Sequence, residues 1–167
     1  MPTRTEKECD RETVRTVNMA AFGAQAEADL VDALRQQAQP IVSLVAEEGG
    51  EVVGRIMFSP VSLSGHPDLK VMGLGPMAVV PAYQKKGFGS ALVQAGLDHC
   101  RELGFAAVVV LGYLTYYPRF GFSPSSQFGI ESEYDVPEEV FMAMELKPEA
   151  LSQITGRVRY HPAFGNV

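Results

Sequence analysis

The chain has 167 residues, of which 46% are hydrophobic and 20% charged, the make-up of one folded domain with a sizeable core. A formal net charge of −6 excludes non-specific nucleic-acid binding as the main task, while leaving room for a local basic spot. No apolar run approaches the ~18 residues of a membrane span. Residues 1–6 lack the apolar stretch of a secretory leader, and Cys9 and Cys100 have neither pairing nor metal-ligand spacing. The expectation is a cytoplasmic protein with reduced thiols, no membrane or nucleic-acid partner and no metal.

Residues 2–6 read as a short first strand. Residues 10–22 read as an amphipathic helix, with Val14, Val17, Ala21 and Phe22 at helical spacing, Asp10 as N-cap and Gly23 as its break. Residues 26–37 form a second helix with Leu30, Val31 and Leu34 on one face, and Pro40 closes the segment. Residues 41–47 and 52–61 are strands joined through Gly49 and Gly50, which supply the positive φ of a hairpin turn. A second turn at 65–68 leads to a strand at 69–80, completing an antiparallel meander. Gly75-Pro76 interrupts that strand, and a proline without a ladder donor suits a bulge or an edge.

A helix follows over residues 87–103, with Leu92, Ala95, Gly96 and Leu103 on its buried side and Gly104 as a C′ residue. Residues 105–111 are continuously apolar, as a strand buried on both faces is. The unit 77–111 is therefore βαβ-like, and the sheet is mixed. Residues 114–119 read as a short helix or turn, and 123–138 as a polar, irregular segment. Residues 140–146 alternate as a strand does, with a pairing assigned near 128–130, and 156–160 is a further strand. No linker or repeat divides the chain, so residues 1–167 read as a single domain.

The chemistry concentrates in residues 74–93: an apolar strand, a polar turn with two lysines and two glycines, then a helix. Such a turn presents unpaired backbone N–H groups and the positive end of a helix dipole, an anion site most often used for phosphate. Gly87 and Gly89 have no Cβ to hold a pyrophosphate away from the backbone. Lys85 and Lys86 add charge there. A dinucleotide fingerprint fails because its third small position is Leu92, and no Walker pattern is present. What is present is Gln84-x-x-Gly87-x-Gly89 after a strand ending Ala78-Val79-Val80-Pro81. The plain alternative is a strand–turn–helix connection whose glycines serve geometry alone. Downstream, Tyr117 precedes Gly121-Phe122 as Tyr-x-x-x-Gly-Phe.

These two motifs, in this order and with a strand between them, resemble the GNAT superfamily of N-acetyltransferases. The wording at 73–79, 108–112, 116–122 and 134–143 is similar to the YhbS-like branch, over nearly the whole chain. The resemblance implies an α/β fold of GNAT type: a mixed, mostly antiparallel twisted sheet with helices on both faces. It implies transfer of an acetyl group from acetyl-coenzyme A, a co-substrate, to a primary amine of a small molecule or peptide by direct attack. Gln84, Lys85, Lys86, Gly87, Phe88, Gly89 and Ser90 would hold the pyrophosphate, largely through main-chain donors. A bulge at Gly75-Pro76 would splay the strand and open a wedge for the pantetheine arm. Backbone N–H groups of Met77, Ala78 and Val79 would receive the carbonyl oxygen. Tyr117 would protonate the leaving sulfur, with Tyr116 its competitor and Tyr113 a lining residue of the wedge.

One departure stands out. Many members carry a carboxylate on the strand before the loop, and residues 70–80 contain none. That leaves a base elsewhere, a water chain or weak catalysis. Glu47, Glu48, His66 and Asp68 lie near strand ends and are candidates, although a solvated turn is the plainer reading of each. A coenzyme-binding or regulatory module with little turnover is the alternative function, and a longer acyl donor a further one. The polar 123–138 segment either edges the acceptor site or is a plain surface loop; the acceptor itself, the base and a homodimer stay open at this level.

Overall fold

The computed structural model describes residues 3–22, 25–112, 114–134 and 136–166. Pro2 and Gly23, part of the expected first strand and first helix break, lie outside the described residues, as does Tyr113. The chain opens with β1 (Thr3–Thr5), α1 (Arg11–Phe22) and α2 (Ala26–Gln37). The meander follows as β2 (Val42–Glu48), β3 (Glu51–Leu63) and β4 (Val71–Val79). Gly49 and Gly50 both take positive φ, 59° and 83°, in the hairpin between β2 and β3. Then come α3 (Phe88–Glu102) and β5 (Ala107–Leu111), with β4 and β5 parallel as the βαβ reading requires.

The sheet runs β1-β2-β3-β4-β5, then β8 (Phe141–Glu145) and β6 (Ser123–Pro124). All these pairs are antiparallel except β4 with β5. A side branch pairs β7 (Ile130–Ser132) with β9 (Gly156–Arg159), and β9 with the end of β3. This is the mixed, mostly antiparallel GNAT arrangement expected. Strand alternation supplies cores on both faces. Ile56 and Phe58 of β3 pack with Leu92, Val93 and Leu97 of α3, whereas Met57 packs with Val14 of α1 and Leu30 and Leu34 of α2. At Gly96 a Cβ would stand 2.1 Å from the Phe58 ring, so glycine lets α3 close on the sheet.

Three details differ from expectation. Asp10 does not cap α1. Its carboxylate accepts from the Lys7 N–H at 2.7 Å and from both Arg4 Nη atoms, closing a 3-10 turn (Glu8–Asp10) ahead of the helix. Leu103 is 43% exposed, because α3 ends at Glu102 and Gly104, at φ 83°, turns the chain away. The strand at 141–145 pairs with β5 and β6, while Ile130 pairs with Gly156. Alternation fixes which face a short strand buries and leaves its partner to long-range topology.

Candidate active site

The site begins where β4 and β5 part. They pair only over Val71–Gly73 with Ala107–Val109. Beyond that, β4 continues against β3 alone, while β5 continues against β8 through Leu111 and Phe141. The break coincides with a bulge: Ile56 faces Met77 and Phe58 faces Leu74, so Gly75 and Pro76 together oppose Met57. After the bulge the Val80 N–H donates to Val53 O at 2.9 Å. Alternation then turns Ala78 toward β3 and aims the N–H groups of Met77 and Val79 at the open edge.

The loop after β4 is tied back to it. Gln84 Nε2 donates to Val79 O at 2.9 Å, so the motif glutamine sets the loop's exit from the strand. Lys85 and Gly87 both adopt left-handed backbone, φ 62° and 91°, a local reversal that gathers successive N–H groups. Gly87 is the N-cap of α3 and offers no side-chain cap. The first helical bond is Ala91 N–H to Gly87 O, which leaves the N–H groups of Phe88, Gly89 and Ser90 without helical acceptors. Phe88 itself is buried, edge-on to Tyr83 at 5.9 Å, and anchors the helix start in the core. Its place in the motif is a matter of backbone. Lys85 and Lys86 are exposed, Lys86 lying 5.6 Å over the Tyr83 ring.

One tyrosine stands over this terminus and a second lies against the first. The Tyr116 hydroxyl lies 3.1 Å from Ser90 Oγ, and a Cβ on Gly89 would come 3.3 Å from that hydroxyl and 3.8 Å from Met77 Cε. Met77, Gly89, Ser90 and Tyr116 therefore converge. Arg119 stacks on the Tyr116 ring at 4.6 Å and donates to its carbonyl oxygen. Tyr117 is buried behind it, edge-on to Tyr116 at 5.1 Å and to Phe122 at 5.7 Å. Its ring fills the place a Cβ on Gly112 would need.

The candidate bases are not brought to the wedge, in line with the plainer reading of each as part of a turn or strand end. His66 and Asp68 sit in the turn before β4, at the end of the strand opposite the splay. Glu47 is taken by Arg4 Nε at 2.6 Å on β2, and Glu48 closes the same hairpin opposite Glu51. Cys100 is fully buried in α3, and burial pushes its thiol up to about 12, which leaves no thiolate nucleophile at neutral pH. Among the described residues no group of three or more His, Cys, Asp or Glu side chains could hold a metal ion.

Sequence reasoning missed one feature and saw only the edge of another, in the polar segment 123–138. Arg55 of β3 is 0% exposed; its Nη1 donates to Pro76 O at 3.0 Å and its Nη2 to Ser43 Oγ at 3.2 Å. Glu6 lies 3.7 Å away and is shared with Arg35. Burial lowers the Arg55 guanidinium to about 10, so it is a cation at neutral pH. The sole trace in the sequence is one charge inside an apolar strand. The second feature is a cavity of about 560 Å³ lined by Ile130, Glu131, Glu133, Tyr134, Phe141 and Arg157, among others. Phe141 pairs with Leu111 at the end of β5 and packs with Ala107 and Val109, on the face away from α3. No motif announces it, because its walls come from segments far apart in the chain.

The family model described as Acetyltransferase (GNAT) family matches residues 11–122. The uncharacterised N-acetyltransferase YjhQ of Escherichia coli is 39% identical over 157 residues, covering 90% of this chain and 86% of its own. The uncharacterised N-acetyltransferase YhbS of the same organism is 36% identical over 162 residues, 96% of both chains. Its crystal structure in complex with coenzyme A superposes with a TM-score of 0.92, at 35% identity over 98% of this chain and 91% of that one. A GNAT family acetyltransferase from Brucella melitensis in complex with acetyl-coenzyme A gives 0.80, at 38% identity over 98% and 97%.

Proposed function

The chain belongs to the acetyltransferase (GNAT) family and is an acetyl-coenzyme A-dependent acyltransferase, and from that premise we propose that a primary amine, on a small molecule or a peptide, attacks the thioester directly. One observation carries the reading: the pairing of β4 with β5 stops at Gly73, leaving unpaired strand donors beside an uncapped helix start. The pyrophosphate rests on the backbone of Gln84 to Ser90, where Gly89 leaves room. The amine lone pair forms the new C–N bond, and charge collects on the carbonyl oxygen. The N–H groups on the open edge of β4, Met77 foremost, receive that charge. Collapse breaks the C–S bond; the thiolate takes a proton from Tyr117, the tyrosine at the motif position, and the resulting tyrosinate takes back the surplus proton of the new amide nitrogen through one water. Tyr116 holds Ser90 and thereby the helix start.

The acceptor lies in the cavity beside Phe141, on the face opposite α3. Its apolar floor, Ile130 and Phe141, takes the body of the molecule. The carboxylates of Glu131 and Glu133 attract the ammonium and accept its proton, directly or through one water, before attack. Both cysteines are free thiols, in keeping with a cytoplasmic setting.

The test is thiol release from acetyl-coenzyme A across a panel of primary amines, with a single-turnover arm lacking amine. Saturable, amine-dependent release is expected. A stoichiometric burst without amine reveals an acetyl-enzyme and overturns direct attack. The absence of a carboxylate from residues 70–80 favours a second reading, a coenzyme-binding module with little turnover. Tight binding with no release across the panel selects it.

A further inference from the structure

We infer that Arg55 is a positioning residue for the reaction, holding the backbone donor at Met77 in its working orientation from beneath the bulge. The inference rests on the proposal that the Met77 N–H receives the thioester oxygen. Arg55 touches no reacting atom. It reaches the reaction through one peptide group, and four observations define that link.

First, the Arg55 Nη1 donates to Pro76 O at 3.0 Å. That oxygen and the Met77 N–H belong to the same peptide plane. In a trans peptide the two point in opposite directions, so holding one aims the other. Secondly, the ladder is irregular at this peptide. Gly75 and Pro76 face Met57 together, and β5 has already turned away, so β3 is the one strand alongside it. The guanidinium adds a side-chain restraint at the bulge.

Thirdly, Arg55 is itself held on several sides. Its Nη2 donates to Ser43 Oγ at 3.2 Å, and Glu6 Oε2 lies 3.7 Å off. Glu6 Oε1 is held in turn by Arg35 Nε at 2.9 Å. A planar fork with two anchored nitrogens cannot swing as a lysine ammonium would. Fourthly, the charge lies on the carbonyl side of the peptide and is fully buried. A cation polarising a carbonyl strengthens the N–H of the same amide as a donor. That effect matters only when negative charge develops on the far side, in the transition state.

The experiment compares wild type with Arg55→Met and Arg55→Lys, reading kcat, KM for acetyl-coenzyme A, and the infrared carbonyl stretch of bound acetyl-coenzyme A. In wild type, binding lowers the stretch below that of free acetyl-coenzyme A. Arg55→Met is expected to lose about 30- to 100-fold in kcat, the scale of a donor misplaced by about 1 Å. KM stays within about twofold and the stretch returns toward the free value. Arg55→Lys keeps the charge but cannot hold Pro76 O and Ser43 Oγ together, so about a 3- to 10-fold loss with a partial return is expected. If Arg55→Met does not fold, the lysine variant decides on the same readings. Wild-type kcat and stretch in a folded variant overturn the role of Arg55. So does a loss of kcat matched by KM with the stretch unmoved, which is the mark of general loosening. A wild-type stretch that does not fall on binding overturns the Met77 donor itself, and the inference with it.

Discussion

Two regions of this molecule are built in opposite ways. The segment from β4 through α3 works with backbone: unpaired strand N–H groups, two left-handed loop residues, and a helix start without a cap. The region from β6 to β9 offers side chains: two glutamates, a tyrosine and an arginine around an apolar floor. A pyrophosphate and a thioester are the same in every turnover, and main-chain donors suit an unchanging ligand. An acceptor is recognised by what distinguishes it, which requires side chains. The first strategy writes itself into the sequence as glycine spacing. The second writes almost nothing that can be read without the fold.

The largest expected effect breaks the backbone side. Gly89→Val places a branched carbon 3.3 Å or less from the Tyr116 hydroxyl and over the helix start. Affinity for acetyl-coenzyme A should fall by about a hundredfold or more, about 3 kcal/mol, while the melting temperature moves little. Undiminished affinity by calorimetry would mean that the coenzyme does not rest on this terminus.

Next come the tyrosines. Tyr117→Phe should lower kcat by about a hundredfold, the scale of a lost general acid. Tyr116→Phe loses one hydrogen bond to Ser90 and should raise KM for acetyl-coenzyme A by about fivefold. Should Tyr116→Phe take the kcat loss instead, the two roles change places. On the side-chain region, Glu133→Gln keeps a carbonyl oxygen for the Tyr160 N–H that Glu133 now accepts. It should raise KM for the amine by about tenfold, with KM for acetyl-coenzyme A unchanged. A change in the coenzyme parameter alone would erase the distinction between the regions.

The smallest effect lies outside both. Arg4, through its hydrogen bonds, holds the Asp10 carboxyl down at about 2 from an ordinary 3.8. A depressed carboxyl contributes stability above its unfolded value, so that contribution is complete above about pH 4 and lost as pH falls through about 2. Asp10→Asn should cost about 1 kcal/mol in denaturant melts at neutral pH. The difference from wild type should close near pH 2, with kcat unaffected at pH 7.

Much of the fold was legible because its signals are local. Gly49-Gly50 turns the hairpin, and the continuous apolar run before Leu111 is indeed buried against neighbours on both sides. The bulge at Gly75-Pro76 followed from a missing ladder donor. What escaped is non-local. Ile130 pairs with Gly156 rather than with the 141–145 strand, and nothing in either segment names its partner. Arg55 looked like one charge in an apolar strand; its meaning depends on Pro76, which lies across the sheet. In the candidate site, Gln84, Gly87 and Gly89 could be read from spacing. The burial of Phe88 and the closeness of Tyr116 to Ser90 could not, since both depend on how α3 meets the segment after β5.

One strand belongs to both regions. β3 pairs with β4 through Gly54 to Val61, and its last residues, Ser62 and Leu63, pair with β9, which carries Arg157. The proposed acceptor wall is thus mounted on the same beam as the donor site, in the two residues directly after Val61, the last β4 partner. Protein engineers can use this. Foreign segments replacing residues 125–134 and 154–160 would keep their alignment with β4 if they preserved the Ser62–Leu63 junction and left β8 in place beside β5. New acceptor ranges would then be reached by grafting, with the catalytic half left untouched.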